Sequence, residues 1–387
     1  MKKEALSEFY LVSLPGLEDL AMSEVQRFFP TWRAEVVYGG VTVWAPFGEG
    51  LLMNEWLKIP TRILVRVARF RCKDFPKLYR TMAEFDWKQW LDPTAQLEIF
   101  VSSKSSRVKI KSRIEETCLE GWRSYQLHNR AIPSKKLKAK LYVRFVDNEC
   151  TLSLDTSGDR LHKRGYRTHI GEAPLRETIA SALLQLMARY GNPSKDVVLV
   201  DPMMGSGTFL LEAMIQNVRI RGRDFAEFNI KPQPEEVANP NLSTVRWTQL
   251  IGFESDEKTV KAAHENFRNL EATLSGEPGY KSVSKTFLRQ DFFSAESPEI
   301  SPDAEKWVIA NPPYGERLEI QGPIQTYYEQ LMEKMESVLA PDRVCLLLPA
   351  KPLKGKMKLP MNWKVKEKRR FLNGGLPVVA FVIGRLN

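Results

Sequence analysis

Val197-Val198-Leu199-Val200-Asp201-Pro202-Met203-Met204-Gly205-Ser206-Gly207-Thr208-Phe209 carries the strongest structural signal in the chain. Four apolar residues in succession, three of them β-branched, read as a strand buried on both faces. Thr208 to Val218 resumes as a helix. Gly205 and Gly207 between them permit close backbone approach to a ligand, where a side chain would fill the ligand's space. Strand, glycine loop and helix together aim backbone N–H groups at whatever sits above the sheet edge. No Lys-Ser/Thr follows Gly207, so this is not a Walker loop. Leu210 stands where the dinucleotide fingerprint has its third glycine. A nucleotide-like ligand without a pyrophosphate fits better, and S-adenosylmethionine is such a ligand. Asp201 is then a candidate for its amino end, with Gly205, Gly207 and Thr208 shaping the loop.

Further along, Leu250-Ile251-Gly252-Phe253-Glu254 reads as the next strand, which places Glu254 to accept bonds from ribose hydroxyls. Asp291 offers an acceptor for an adenine amine, and Phe292 an apolar neighbour. Trp307-Val308-Ile309-Ala310 is another strand, and it ends at Asn311-Pro312-Pro313-Tyr314. An exocyclic amine on a base is a poor nucleophile because its lone pair is delocalised into the ring. The Asn311 side-chain carbonyl and the Pro312 backbone carbonyl can accept its two hydrogens and turn the lone pair out of plane. Proline rings stiffen such a loop, and Tyr314 can stack on the base. That is catalysis by positioning and electrostatics. The tetrad alone does not separate guanine N2 from adenine N6.

Further helices are expected over 175–188, 257–270 and 327–339, and further strands over 344–348 and 378–383. With those above they alternate, which implies an α/β doubly wound sheet covered on both faces. Residues 219–246 are polar and proline-bearing and read as an insertion or lid. The preceding half mixes short strands (9–14, a hairpin over 36–44, 63–70, 97–101, 141–146, 150–155) with helices (17–28, 75–90, 114–127), an α+β pattern. The character of the pattern changes after Ser157.

The 387 residues carry a net charge of +10, 43% hydrophobic and 27% charged residues, ordinary for a water-soluble protein. No apolar run is long enough to span a membrane. The opening Met1-Lys2-Lys3-Glu4 does not resemble a signal peptide, so a cytoplasmic location is expected. Cys72, Cys118, Cys150 and Cys345 form no CxxC pair, and His128, His162, His169 and His264 show no ligand spacing, so no metal is expected. Oligomeric state is not indicated. Positive charge is concentrated in two stretches: residues 101–140 hold eleven Lys/Arg against three Asp/Glu, and 351–370 hold nine against one. Lys104, Arg107, Lys109 and Lys111, then Lys135 and Lys136, then Lys163, Arg164 and Arg167 are the candidate phosphate contacts. A basic face merely solvated, or an ordered linker with its charges in water, is the plain alternative.

Asp201 to Thr208 taken with Asn311-Pro312-Pro313-Tyr314-Gly315-Glu316-Arg317-Leu318 resembles the THUMP-domain RNA guanine-N2 methyltransferases. The junction Asp155-Thr156-Ser157-Gly158-Asp159-Arg160-Leu161-His162-Lys163-Arg164-Gly165-Tyr166-Arg167 and the start Ala173-Pro174-Leu175-Arg176-Glu177 are similar to theirs. The resemblance implies a Rossmann-like S-adenosylmethionine-dependent methyltransferase domain over 158–387. It implies a THUMP RNA-binding domain over 51–157, after a ferredoxin-like portion over 1–50. It further implies Asp201, Gly205 and Gly207 at the cofactor, Glu254 at the ribose, Asp291 at the adenine, and Asn311, Pro312 and Tyr314 at the target amine. Structured RNA is the implied substrate: 23S ribosomal RNA first, with the first part alone of those members that carry a second methyltransferase domain. Transfer RNA is the alternative, and adenine N6 a further one. Relatives often have Asp where Glu254 stands. A non-catalytic RNA-binding assembly factor is the competing class, and the complete tetrad speaks against it.

Overall fold

The computed structural model describes residues 5–167, 175–192, 194–221, 245–277, 280–314, 323–350 and 358–385. Several expectations lie outside them: His169, the start at 173–174, most of the insertion (222–244), residues 315–318 after the tetrad, and 351–357 of the second basic stretch.

The first half runs β1 (Leu6–Val12), α1 (Glu18–Phe28), β2 (Arg33–Val37), β3 (Gly40–Pro46), the short α2 (Phe47–Leu51) and α3 (Met53–Trp56), β4 (Arg62–Arg71), α4 (Phe75–Glu84), β5 (Gln96–Lys104), α5 (Lys111–His128), β6 (Lys138–Val146) and β7 (Glu149–Asp155). Its strands form one seven-stranded sheet, β2-β3-β1-β4-β7-β6-β5, antiparallel except for the β5–β6 pair. The boundary expected after residue 50 therefore falls inside α2, and the sheet runs across it through the β1–β4 pairing. Alternation sets the faces. Phe9 and Leu11, Ile63 and Val65, Leu141 and Val143, and Leu152 and Leu154 all point into one core. There they meet Leu20 and Val25 of α1, Leu78 and Met82 of α4, and Ile114, Cys118 and Trp122 of α5. Asp147 and Asn148, both at positive φ (50° and 64°), make the tight turn between β6 and β7, which suits the right-handed twist of a hairpin.

The second half runs α6 (Glu177–Ala188), β8 (Asp196–Asp201), α7 (Thr208–Ile215), β9 (Arg246–Glu254), α8 (Glu257–Leu274), β10 (Ser284–Arg289), β11 (Glu305–Ala310), α9 (Ile324–Leu339), β12 (Arg343–Pro349), β13 (Trp363–Asn373) and β14 (Leu376–Arg385). The sheet order is β10-β9-β8-β11-β12-β14-β13. The first five strands are parallel, and β14 and β13 are antiparallel additions. Successive strand residues go to opposite faces. Leu199 and Ile309 pack towards α6, α7 and α8, while Val200 and Val308 pack towards Leu331, Met332 and Met335 of α9.

The two halves share one apolar cluster, which extends from Phe9 and Leu20 to Leu183, Leu211 and Val382. Polar contacts stitch the same seam. Gln185 Nε2 donates to Leu20 O (3.0 Å), Arg27 Nη2 to Gln216 O (3.2 Å) and Ile220 N to Glu55 O (3.0 Å). Asp19 on α1 pairs with both Arg189 (2.7 Å) and Arg369 (2.8 Å).

Candidate active site

The sheet order reverses between β8 and β11. From β8, the chain adds β9 and β10 on one side and β11 and β12 on the other. Connections leave in opposite directions there, which opens a crevice beyond the carboxyl ends of the strands. Four of the singled-out residues lie along that edge. Asp201 ends β8 and registers with Gly252 of β9; Glu254 ends β9, two residues further on. Glu254 registers with Arg289, the last residue of β10, and Asp291 follows two residues later. Val308 of β11 registers with Val200, so Asn311 stands just beyond Asp201 across the reversal point.

Each of the three carboxylates is fixed in the same way, by a backbone N–H two residues on. Met203 N donates to Asp201 Oδ1 (3.1 Å), Asp256 N to Glu254 Oε1 (2.9 Å) and Phe293 N to Asp291 Oδ1 (3.0 Å). That bond sets the plane of the carboxyl group and commits one oxygen, so the second is aimed rather than free to rotate. Asp201 is 1% exposed. Burial pushes its pKa up to about 8, against the Met203 bond, with the nearby negative charge of Glu254 adding a little.

The glycine loop differs from expectation in detail. Gly207 (φ +85°) caps α7, and a Cβ there would come within 2.8 Å of Phe267. Its role is packing against α8. At Gly205 (φ +53°) a Cβ would meet no atom of the described residues within 4 Å, so Gly205 borders space that they leave open. The Thr208 hydroxyl, expected at a ligand, accepts a hydrogen bond from Arg167. Phe292, expected beside an adenine, turns into the core against Phe253 (ring centroids 5.1 Å apart). Phe293 takes the surface side, 5.4 Å from the Tyr327 ring, and the Tyr327 hydroxyl reaches Met203 Sδ (3.6 Å). Met203, Phe293 and Tyr327 thus form an apolar wall beside Asp291. Tyr327 was not legible as a site residue, although an aromatic pair, Tyr327-Tyr328, near the start of the helix after the tetrad is a usable signal.

In the tetrad, the Tyr314 hydroxyl donates to Asn311 Oδ1 (2.8 Å), and the Tyr328 hydroxyl donates to Pro313 O (3.1 Å). Tyr314 is half-buried, and burial raises its pKa to about 12 against a bond to Asn373. It is therefore held as a neutral donor that orients the Asn311 amide. A carbonyl oxygen has two lone pairs, so Asn311 Oδ1 keeps one for a second donor. Pro312 is buried behind it.

Two of the junction cations are corrected. Arg164 is buried and forks onto Glu212 of α7 (Nε to Oε1 3.2 Å, Nη2 to Oε2 3.1 Å) while also donating to Lys58 O (2.7 Å). The Tyr166 hydroxyl (2.8 Å) and the Ser181 hydroxyl complete the Glu212 shell. Arg167 pairs with Glu177 (3.2 Å). Both arginines face inward because buried carboxylates await them, so neither is available to a phosphate. An acid inside the apolar helix Thr208-Phe209-Leu210-Leu211-Glu212-Ala213 is the sequence signal for such a partner. Lys163 stays exposed, beside Asp159 (3.4 Å). Lys104, Arg107, Lys109, Lys111, Lys135 and Lys136 are exposed too, but they are not one patch. β5 and β6 run parallel, with Gln96 beside Lys138 and Lys104 beside Val146. The first four therefore sit at one end of the nine-residue β5 and the last two at the other, roughly 26 Å apart at the usual strand rise. Among the described residues no cluster of His, Cys, Asp and Glu is arranged to hold a metal, and no helix is long and apolar enough to cross a membrane.

Residues 164–377 match the family described as RMKL-like, methyltransferase domain. A Synechocystis protein, slr0064, provisionally named an RNA methyltransferase, is 28% identical over 82% of this chain and 82% of its own. A Syntrophotalea carbinolica protein named ribosomal RNA large subunit methyltransferase K/L is 26% identical over 86% of this chain, which spans about half (48%) of that protein's length. Among solved structures, SMU.472, complexed with SAH, superposes with a TM-score of 0.77 at 24% identity, covering 99% of each chain. TrmN from Thermus thermophilus superposes with a TM-score of 0.69 at 20% identity, covering 98% of this chain and all of TrmN. At those identities the superpositions bear on the fold, and they extend over both halves. More than half of this chain, including the glycine loop, the three strand-end carboxylates and the tetrad, falls within the matched segment: the chain belongs to the RMKL-like methyltransferase domain family.

Proposed function

We propose that the protein methylates the exocyclic N2 amine of a guanine in structured RNA, ribosomal RNA of the large subunit first, with S-adenosylmethionine as the methyl donor. The observation that carries this reading is the meeting of the Asp201 loop and the Asn311–Tyr314 tetrad across the reversal point of one sheet. The residues fit that cofactor. Gly205 borders space that the described residues leave open, Asp201 is a desolvated acid ready for a cation, Glu254 presents an aimed oxygen to ribose hydroxyls, and Asp291 stands beside the Met203, Phe293 and Tyr327 wall. When bound, the cofactor supplies an electrophilic methyl group. The chain supplies positioning: Asn311 Oδ1, held by Tyr314, and the Pro312 carbonyl accept the two amine hydrogens and turn the lone pair out of the ring plane. The names of the ribosomal RNA relatives support RNA over DNA. The N-terminal half takes the RNA-binding part that the resemblance to THUMP proteins assigns it.

Nucleoside mass spectrometry of ribosomal and transfer RNA from a strain lacking the gene tests the reading. N2-methylguanosine should fall in large-subunit RNA and return with the wild-type gene. An Asn311→Ala copy should restore it poorly, with transfer slowed roughly 10²-fold and cofactor affinity unchanged. Loss from transfer RNA instead selects that substrate, and loss of N6-methyladenosine overturns the base assignment. No change in any RNA, with RNA binding intact, leaves an assembly factor.

A further inference from the structure

The helices of the N-terminal half all pack on one face of its sheet. The other face lines a cleft of about 850 Å³. Strand register gives that face its composition. Arg66 of β4 lies beside Ser153 of β7, Ser153 beside Tyr142 of β6, and Tyr142 beside Phe100 of β5. The next row carries Arg69, Thr151, Arg144 and Ser102. Phe100 and Tyr142 stack with centroids 4.9 Å apart and planes 16° apart, and Phe100 is 38% exposed. Tyr10 lies under the Arg66 guanidinium (4.8 Å), and the exposed Tyr38 stands at the rim. Among the described residues, six arginines line the cleft against one carboxylate, Glu149. Arg62 pairs with Asp155, Arg66 with Glu8, and Arg69 with Glu8 and Glu149. Arg144, Arg160 and Arg176 make no ion pair among the described residues. At the end nearest the methyltransferase half the lining passes to Arg160, His162 and Arg176. There His162 Nδ1 is buried without a hydrogen-bond partner among the described residues.

We propose that this open face is a platform for an unpaired stretch of RNA. Bases continue the Phe100–Tyr142 stack, and phosphates bind Arg144, Arg160 and Arg176 on the way to the catalytic edge. The inference rests on the reading of RNA as substrate. Flat aromatic rings on a sheet, interleaved with arginines, recognise splayed-out bases. A duplex keeps its bases stacked internally and offers nothing to Phe100 or Tyr142. The exposed lysines at the two ends of β5 and β6 flank the platform and add attraction for the polyanion.

Fluorescence anisotropy of the full chain with a labelled single-stranded 12-mer, and with the same sequence closed in a hairpin stem, tests the platform. The double variant Phe100→Ala/Tyr142→Ala should weaken single-strand binding at least about tenfold with little effect on the stem, while Tyr142→Phe binds as the wild type does. Arg144→Ala/Arg160→Ala, both positions exposed, should lower the salt slope by roughly 1.4, the share of two phosphates on a single strand. Thermal melting and SAH binding serve as fold controls. Should the aromatic pair cost the fold, the arginine pair decides alone. An unchanged salt slope, or equal loss on strand and stem, overturns the platform. If nucleoside analysis still shows the lost methylguanosine, only the platform has failed; if no RNA changes at all, the reading beneath it has failed.

Discussion

Asp201 titrates where few aspartates do. With its pKa near 8, the free protein holds a proton there at neutral pH, whereas binding the ammonium end of the proposed cofactor requires the carboxylate. Affinity for SAH should therefore rise with pH, by up to about tenfold per unit below pH 8, and level off above it. Isothermal calorimetry from pH 6 to 9 checks this, and Asp201→Asn should flatten the profile. The same shift makes the free protein lose stability as pH rises from the ordinary Asp range towards 8. In that window the unfolded chain is ionised and the native one is not. Asp201, Glu254 and Asn311 could be set at strand ends from the sequence, because a run of apolar residues ending in a polar one marks a strand's carboxyl end; Asp291 was singled out without its strand, since β10 (Ser284-Lys285-Thr286-Phe287-Leu288-Arg289) has no such run. The sequence did not show that Tyr314 would hold Asn311, since a hydroxyl's partner depends on a loop's path rather than on its composition.

The glycine loop separates two roles that the sequence merged. Gly205→Ala adds a methyl group that meets no atom of the described residues and costs the left-handed φ, about 1–2 kcal/mol; SAH affinity should fall at least about tenfold. Gly207→Ala drives the same methyl into Phe267, so denaturation should show it clearly the less stable of the two. Equal stability of the pair would contradict the packing role. β13 gives the opposite lesson. Lys364, Lys366 and Lys368 contributed to a basic stretch offered as a polyanion site, yet they lie on the edge strand of the second sheet. Charged side chains on an edge strand discourage pairing with another chain, and Lys368 also covers the Phe381 ring (5.2 Å). Asn373-Gly374-Gly375, between β13 and β14, is a usable hairpin signal that went unread; the density of charge before it masked the strand. β8, β9, β11 and β12 were legible for the converse reason, that a strand buried on both faces has almost no polar residue to confuse it.

Across the molecule, Arg164 joins the halves, gripping Glu212 on one side and the Lys58 carbonyl on the other. Arg164→Ala leaves Glu212 buried without its charge partner and should cost about 3–5 kcal/mol. Because the apolar cluster is continuous across the seam, chemical denaturation should still show one transition; two would mean that the halves unfold separately. Sequence patterning could not reveal this seam, since it is built of contacts between residues far apart in the chain. Asp19 and Arg369 are 350 positions apart. At typical synthesis rates of about 5–20 residues per second, a ribosome displays α1 for roughly 20–70 s before β13 exists to meet it. During that interval the first half is a nascent domain with one wall missing, and folding can close only after the last hairpin has left the exit tunnel.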